Sequence, residues 1–393
     1  KISRRLDGIM YHGSGSLLTR GMVGGYRLTD RRAAKRLGKL NKEVILPLGA
    51  ILPRVPERSA EVAILESFAS ALYASKHFSS GWSRNWVADI HLALAWANIP
   101  GSVLYEEHLL DEKFTKDLKV LVLPGMEVVD EVLLAKLREL RKRGVILVGD
   151  EFTSPAIMVD VRVKSVRRDS KDPVKSKLAL QELGNTIRKA VSDLYNVPVS
   201  ATSNDIVVRR RGCDKADYVF VVNDKRTFGD YLGAWKRVLE KGEPISGEVT
   251  VKHTAAAAYD LVKHKEIALK KGKNAVTFDV KLGGGDGTLV LLLEKAIDKL
   301  AISGSSLERG KEFAFNISVL DKSGKAVKAC LPLEVTLCDA QGKLLPGSGY
   351  YAAEKGVLNF KEIVAANLQG NTIKVTVKCL ASGKTAGKTF NVK

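Results

Sequence analysis

The sequence predicts a multidomain protein, α/β plus all-β: a doubly wound parallel sheet followed by two β-sandwich domains. Three observations carry that reading. Val120–Leu123 (VLVL) and Val145–Gly149 (VILVG) are short apolar runs of the kind that strands buried on both faces require. Asp130–Arg143 (DEVLLAKLRELRKR), lying between them, repeats its apolar residues at helical spacing. Beyond Pro198 the hydrophobic period falls from about 3.6 residues to about 2, the repeat of half-buried strands.

Taken in order, residues 1–58 read as the end of a preceding domain plus a wrapping linker. Thr29–Leu40 forms a short basic helix there, and Pro53 and Pro56 precede the first strand. Residues 59–196 are the α/β domain. Glu61–Phe68 (EVAILESF) is its first strand, Trp86–Ala97 a helix ended by Ile99-Pro100-Gly101, and Val103–Leu110 a second strand. The VLVL strand, the following helix and the VILVG strand complete an alternation that implies parallel pairing with right-handed crossovers. Lys175–Tyr195 is a further amphipathic helix.

Residues 197–299 read as a β-sandwich, with strands at Asp205–Arg210, Tyr218–Asn223, Glu248–Lys252, Ala258–Leu261, Ala275–Val280 and Thr288–Leu293. Residues 300–393 read as a second, immunoglobulin-like sandwich after an Ile302-Ser303-Gly304 linker. Its strands are Phe313–Leu320, Leu333–Cys338, Gly356–Phe360 and Ile373–Leu380.

Composition narrows the function classes. A chain of 393 residues, 45% apolar and 27% charged, is an ordinary globular protein of several cores. No apolar run approaches the ~20 residues of a membrane span, so none is expected. A start at Lys1 without a signal-like stretch reads as that of a fragment or processed chain. The formal charge of +19 is spread along the chain without a recognition motif, which argues against a specific nucleic-acid partner. Arg209-Arg210-Arg211 reads as a solvated strand edge that discourages sheet-to-sheet association. Cys213, Cys330, Cys338 and Cys379 lack zinc-site spacing; they read as free buried thiols, with a Cys338–Cys379 disulfide as the alternative in an exported protein. The six histidines are scattered, so no metal or cofactor is expected.

The carboxyl ends of parallel strands are where such sheets bind ligands, and Gly149-Asp150-Glu151-Phe152 stands at one. A hydrolase or amidotransferase would present Cys or Ser in that turn; this chain has neither. Asp150 and Glu151, adjacent on an extended chain, point to opposite faces and cannot flank one glycosidic bond, so they read as caps or loop-holding groups. Trp82 and Trp86 flank Arg84 at the carboxyl end of strand one, a flat apolar platform with a polar rim suited to a sugar ring or a partner subunit. Gly125, Asp150 and Glu151 complete the candidate contact set, and no catalytic residue is assigned. Trp96 is assigned to the core, and Trp235, in an insertion over residues 226–241, is a weaker contact candidate of the same kind. Gly283–Gly287 precedes a strand and lacks a Gly-Lys-Ser/Thr ending, so it reads as a tight turn and not a phosphate loop.

The strings Glu61–Phe68, Leu118–Gly125, Arg138–Glu151, Tyr218–Arg226, Ala258–Val262 and Gly283–Leu293 resemble the region downstream of the catalytic barrel in β-galactosidase-like proteins of glycoside hydrolase family 42. The resemblance covers about residues 60–300 in order of elements and local wording. It implies a flavodoxin-like, degenerate amidotransferase-like domain that mediates trimerisation, within a larger bacterial carbohydrate-active polypeptide. The family's two catalytic glutamates lie on a barrel that this chain has no room for, so none is carried over. The expected role is a non-catalytic accessory and oligomerisation region, a homo-trimer or dimer that meets carbohydrate through its parent protein, in an extracellular or periplasmic setting. The competing reading is a stand-alone ligand-binding or scaffold protein. Assembly predicts an exposed apolar face on the α/β domain; ligand binding predicts a pocket beside Gly125, Asp150 and Trp82.

Overall fold

The computed structural model describes residues 31–58, 61–75, 87–99, 101–168, 172–213, 215–232, 237–305 and 307–393. Helix α1 (Arg31–Leu40) runs through a π turn, Asn41–Ile45, into α2 (Leu46–Gly49). The segment read as a wrapping linker buries Leu48, Ile51 and Val55 in the largest hydrophobic core.

The α/β unit follows the doubly wound plan. Strands β1 (Val62–Glu66), β2 (Ser102–Tyr105), β3 (Val120–Leu123), β4 (Ile146–Gly149) and β5 (Val161–Arg162) pair in parallel, in the flavodoxin-like order β2-β1-β3-β4-β5. Alternate residues divide between two cores, which is why these strands read as unbroken apolar runs. Val62, Ile64, Val120 and Val122 face α4 (Val87–Trp96) and α8 (Pro173–Ala190). Ala63, Leu65, Leu121 and Leu123 share the opposite core with Leu133, Leu137 and Leu140 of α7 (Glu131–Lys142). A Cβ at Gly184 would lie 2.1 Å from the Ala93 carbonyl oxygen, so the α4 and α8 backbones meet only because that residue has no side chain.

One element departs from the sequence reading. The strand expected over Val103–Leu110 ends at Tyr105, and Glu106–Leu110 forms α5. Glu106 and Glu107 suit the positive amino end of a helix, and the His108 ring Nδ1 accepts the Tyr105 N–H at 3.1 Å. Two short helices complete the unit, α3 (Phe68–Ser75) after β1 and α6 (Glu112–Thr115) after α5.

The first sandwich joins a four-stranded sheet, β14-β15-β11-β6, to a five-stranded one, β13-β12-β16-β8-β7. The strands are β6 (Val199–Ala201), β7 (Ile206–Cys213), β8 (Ala216–Asn223), β11 (Ile245–Val251), β12 (Ala257–Asp260), β13 (Lys265–Ile267), β14 (Lys270–Lys271), β15 (Val276–Leu282) and β16 (Gly287–Leu293). Gly283–Asp286 turns between β15 and β16, as the sequence predicted. The five-stranded sheet is covered on both faces: Val219, Val221, Val290 and Leu292 fill the sandwich interior, while Tyr218, Phe220, Leu289 and Leu291 face the second sandwich. The Tyr218 hydroxyl crosses that junction, donating to the Cys330 carbonyl and accepting its N–H at 2.9 Å. In the 226–241 insertion β9 (Arg226–Leu232) and β10 (Arg237–Gly242) pair as their own two-stranded antiparallel sheet.

The second sandwich packs β17 (Lys299–Gly304), β18 (Glu312–Leu320) and β21 (Val357–Ile363) against β20 (Gly349–Ala353), β19 (Leu331–Cys338), β22 (Thr372–Cys379) and β23 (Thr385–Asn391). Ile302-Ser303-Gly304 is therefore not a linker but the end of β17, with Ile302 opposite Ile317 and Gly304 opposite Phe315. As an edge strand buried mainly at Leu300, it carries the polar composition that made it look like a connection. Two hairpins share an Asp-x-x-Gly-Lys turn. Asp321 accepts the N–H groups of Ser323 and Lys325, and Asp339 those of Gln341 and Lys343. Cys338 stands opposite Lys374 and Cys379 opposite Leu333, at opposite ends of one strand pair; all four cysteines are free thiols.

Candidate functional site

Asp150 occupies the position at the tip of β4 where a nucleophile would stand. Its carboxylate is almost completely buried and takes the Gly125 N–H at 2.6 Å, the Phe152 N–H at 2.9 Å and the Thr153 hydroxyl at 3.1 Å. Gly125 needs its positive φ of 62° to turn its N–H inward after β3. The Asp150 N–H donates to Thr153 Oγ1 at 2.8 Å, and Arg162 of β5 donates to the Asp150 carbonyl. One carboxylate thus ties the turns after β3 and β4 together. With its oxygens committed to donors and its face closed to solvent, it is placed to hold loops and not to attack a substrate.

Glu151 leaves in the other direction. Its carboxylate is exposed and accepts the Ser165 N–H at 2.8 Å and hydroxyl at 2.7 Å. Partial burial raises its pKa, but the Ser165 hydrogen bonds outweigh that and hold the carboxyl below its ordinary value. The structure separates the two acids as their adjacent positions predicted. Trp82, Arg84, Trp86 and Trp235 lie outside the described residues. Trp96 is buried, with its indole N–H on Asp224 Oδ2 at 2.8 Å and the Lys177 ammonium 5.6 Å from its ring, which fastens the α/β unit to the first sandwich.

Beside this closed tip lies an exposed apolar strip. In α3, Phe68 is 73%, Leu72 58% and Tyr73 39% exposed. The helix is held down by its polar side: Ser67 Oγ accepts the Ser70 N–H at 3.0 Å, and Ser70 Oγ accepts the Val128 N–H at 3.1 Å.

The opposite end of the sheet holds a constellation that sequence reading missed. β7 is an edge strand, as expected for Arg209-Arg210-Arg211, but the three guanidiniums are not solvated. Arg211 is fully buried and donates to the Leu52 and Val55 carbonyls; the side chains of Arg209 and Arg210 are only 15% and 17% exposed. The reason is partners far off in sequence. Arg209 pairs with Glu57, while the fully buried Asp217 of β8 faces Arg58, Arg210 at 3.1 Å and His253 Nδ1 at 3.0 Å. Arg58 reaches Asp217 by lying across Gly212, where any Cβ would strike its guanidinium. Burial pushes the Arg210 pKa down even with Asp217 beside it, and burial raises that of Tyr195, helped by the nearby negative charge of Glu61. These groups back a cleft of about 630 Å³ between the amino ends of β1, β2 and β3 and the first sandwich.

Among the described residues no cluster of three or more His, Cys, Asp or Glu could hold a metal ion, and no helix is long and apolar enough to cross a membrane.

No family model and no curated protein matches the chain. Among solved structures it is similar to the GH42 β-galactosidase Gan42B of G. stearothermophilus, at 15% identity and a TM-score of 0.42, covering 68% of this chain and 44% of that one. The α-L-fucosidase isoenzyme 2 of Paenibacillus thiaminolyticus gives 14% identity and a TM-score of 0.47 over 67% of this chain and 52% of that one. A β-galactosidase from Bacillus circulans sp. alkalophilus gives 15% identity and a TM-score of 0.41 over 68% and 45%. The chain spans about half of the length of these proteins.

Proposed function

We propose that this chain is the non-catalytic assembly region of a glycoside hydrolase-like, carbohydrate-active protein, its amidotransferase-like α/β unit acting as an oligomerisation module. The observation that carries the proposal is the exposed strip of Phe68, Leu72 and Tyr73 on a helix anchored through Ser67 and Ser70. Contiguous apolar surface of this kind on a rigid support is what a subunit contact uses. The committed carboxylate of Asp150 supports the non-catalytic part, and the strings Leu118–Gly125 and Arg138–Glu151 support the family likeness.

Light scattering across a concentration series tests it. The chain is expected to form a dimer or trimer at micromolar concentration, and Phe68→Asp with Leu72→Lys to give a monomer with an unchanged circular-dichroism spectrum. A parent chain monomeric at roughly 100 µM, where even a weak contact of about −5.5 kcal/mol would be half filled, contradicts the proposal. Turnover of a chromogenic galactoside by this chain alone contradicts the non-catalytic part.

A further inference from the structure

The cleft at the amino ends of β1–β3 lies away from the carboxyl edge where doubly wound sheets bind ligands, so its chemistry is not inherited from the fold. Five cations line it: Arg58, Lys119, Arg209, Arg210 and Lys252. Three carboxylates oppose them, Glu57, Glu61 and Asp117, and one is already committed, Glu57 to Arg209. Behind the wall a single buried charge, Asp217, is divided between Arg58 and Arg210.

Negative charge is short on two counts. Among the described residues Lys119 and Lys252 form no ion pair, the Lys252 ammonium donating only to the Asn196 side-chain oxygen, although Glu61 and Asp117 line the same cleft. The buried Nε atoms of Arg209 and Arg210 find no hydrogen-bond acceptor, the latter lying 3.1 Å from Asp217 but out of line with it. Guanidiniums with unfilled donor positions, at the wall of a cleft with extra positive charge, fit an anion that presents several oxygens.

We propose that this cleft binds a tetrahedral oxyanion, phosphate or sulfate, with Lys119 and Lys252 at its mouth and the guanidiniums of Arg209 and Arg210 at its back. The volume of about 630 Å³ exceeds what a bare ion fills and accommodates the small organic group of an ester. Free ion and ester share the chemistry that the cleft recognises. The proposal does not depend on the assembly reading, because binding is measured on the chain whether it is a monomer or an oligomer.

Calorimetric titration of the full chain, at ionic strength fixed with sodium chloride, tests it with four probes: inorganic phosphate, inorganic sulfate, a sugar sulfate and the same sugar unesterified. Saturable binding of one oxyanion per chain is expected, with the ester tighter than the ion if esters are the natural source and equal to it if the free ion is. Lys119→Gln with Lys252→Gln, both exposed positions, is expected to weaken phosphate binding by about tenfold or more, the worth of one charge-assisted hydrogen bond. Arg210→Gln is expected to abolish it; should that variant fail to fold, the lysine pair carries the test. Heats no larger than those of added chloride, binding of the unesterified sugar equal to that of its sulfate, or unchanged affinity in the double lysine variant would overturn the proposal.

Discussion

The two ends of one parallel sheet solve the problem of a buried carboxylate in opposite ways. At the carboxyl end Asp150 meets hydrogen-bond donors, two of them backbone N–H groups within its own turns, and the site closes. At the amino end Asp217 meets whole charges, Arg58 and Arg210, brought from elsewhere in the chain, and a cleft stays open beside them. Dipoles satisfy a carboxylate without leaving charge over; guanidiniums satisfy it and leave positive charge behind. Binding capacity therefore sits at the end that the fold does not ordinarily use.

The largest effect that could break this contrast is at Asp217. Asp217→Ala leaves the largely buried Arg210 guanidinium and the part-exposed Arg58 without their shared anion and is expected to cost about 3 kcal/mol in urea unfolding. A loss under about 1 kcal/mol would mean that water reaches the cluster freely, and the contrast would fail. Asp150→Asn comes next, at roughly 2–3 kcal/mol, because its amide N–H₂ must face one of the donors that the carboxylate accepted. The smallest effect is at Glu151, where exposure leaves Glu151→Gln within about 0.5 kcal/mol of the parent at neutral pH.

Acid titration sharpens that last case. The Glu151 pKa in the folded chain lies below its ordinary 4.5, so the folded state holds fewer protons than the unfolded one near that pH. Its contribution is complete above 4.5 and lost as pH falls through the lowered value. The gap between parent and Glu151→Gln in urea midpoint is expected to close in acid; a gap that widened would reverse the sign.

Much of the architecture was legible because double-sided burial writes itself as unbroken apolar runs. VLVL, VILVG, YVFVV and TLVLLL each feed two cores, and each became a strand. Edge strands were harder. β17 and β23 bury few side chains, so their polar residues resemble connections. Asp150 and Glu151 were readable as loop-holding groups because their partners are close in sequence or follow from strand order. The Arg209–Arg211 cluster was not, since Arg58 and Glu57 stand 159 and 152 residues from their partners and nothing local signals the neutralisation.

The buried placement of Leu48, Ile51 and Val55 has a consequence for biosynthesis. Helix α2 rests on β19 and β20, and Arg54 pairs with Glu354, 300 residues downstream. At a ribosomal pace of about 5–20 residues per second, that stretch emerges and then stays uncovered for roughly 15–60 s before its seat exists. During every round of translation the nascent polypeptide thus displays an oily stretch whose cover is completed only by the late-arriving strands.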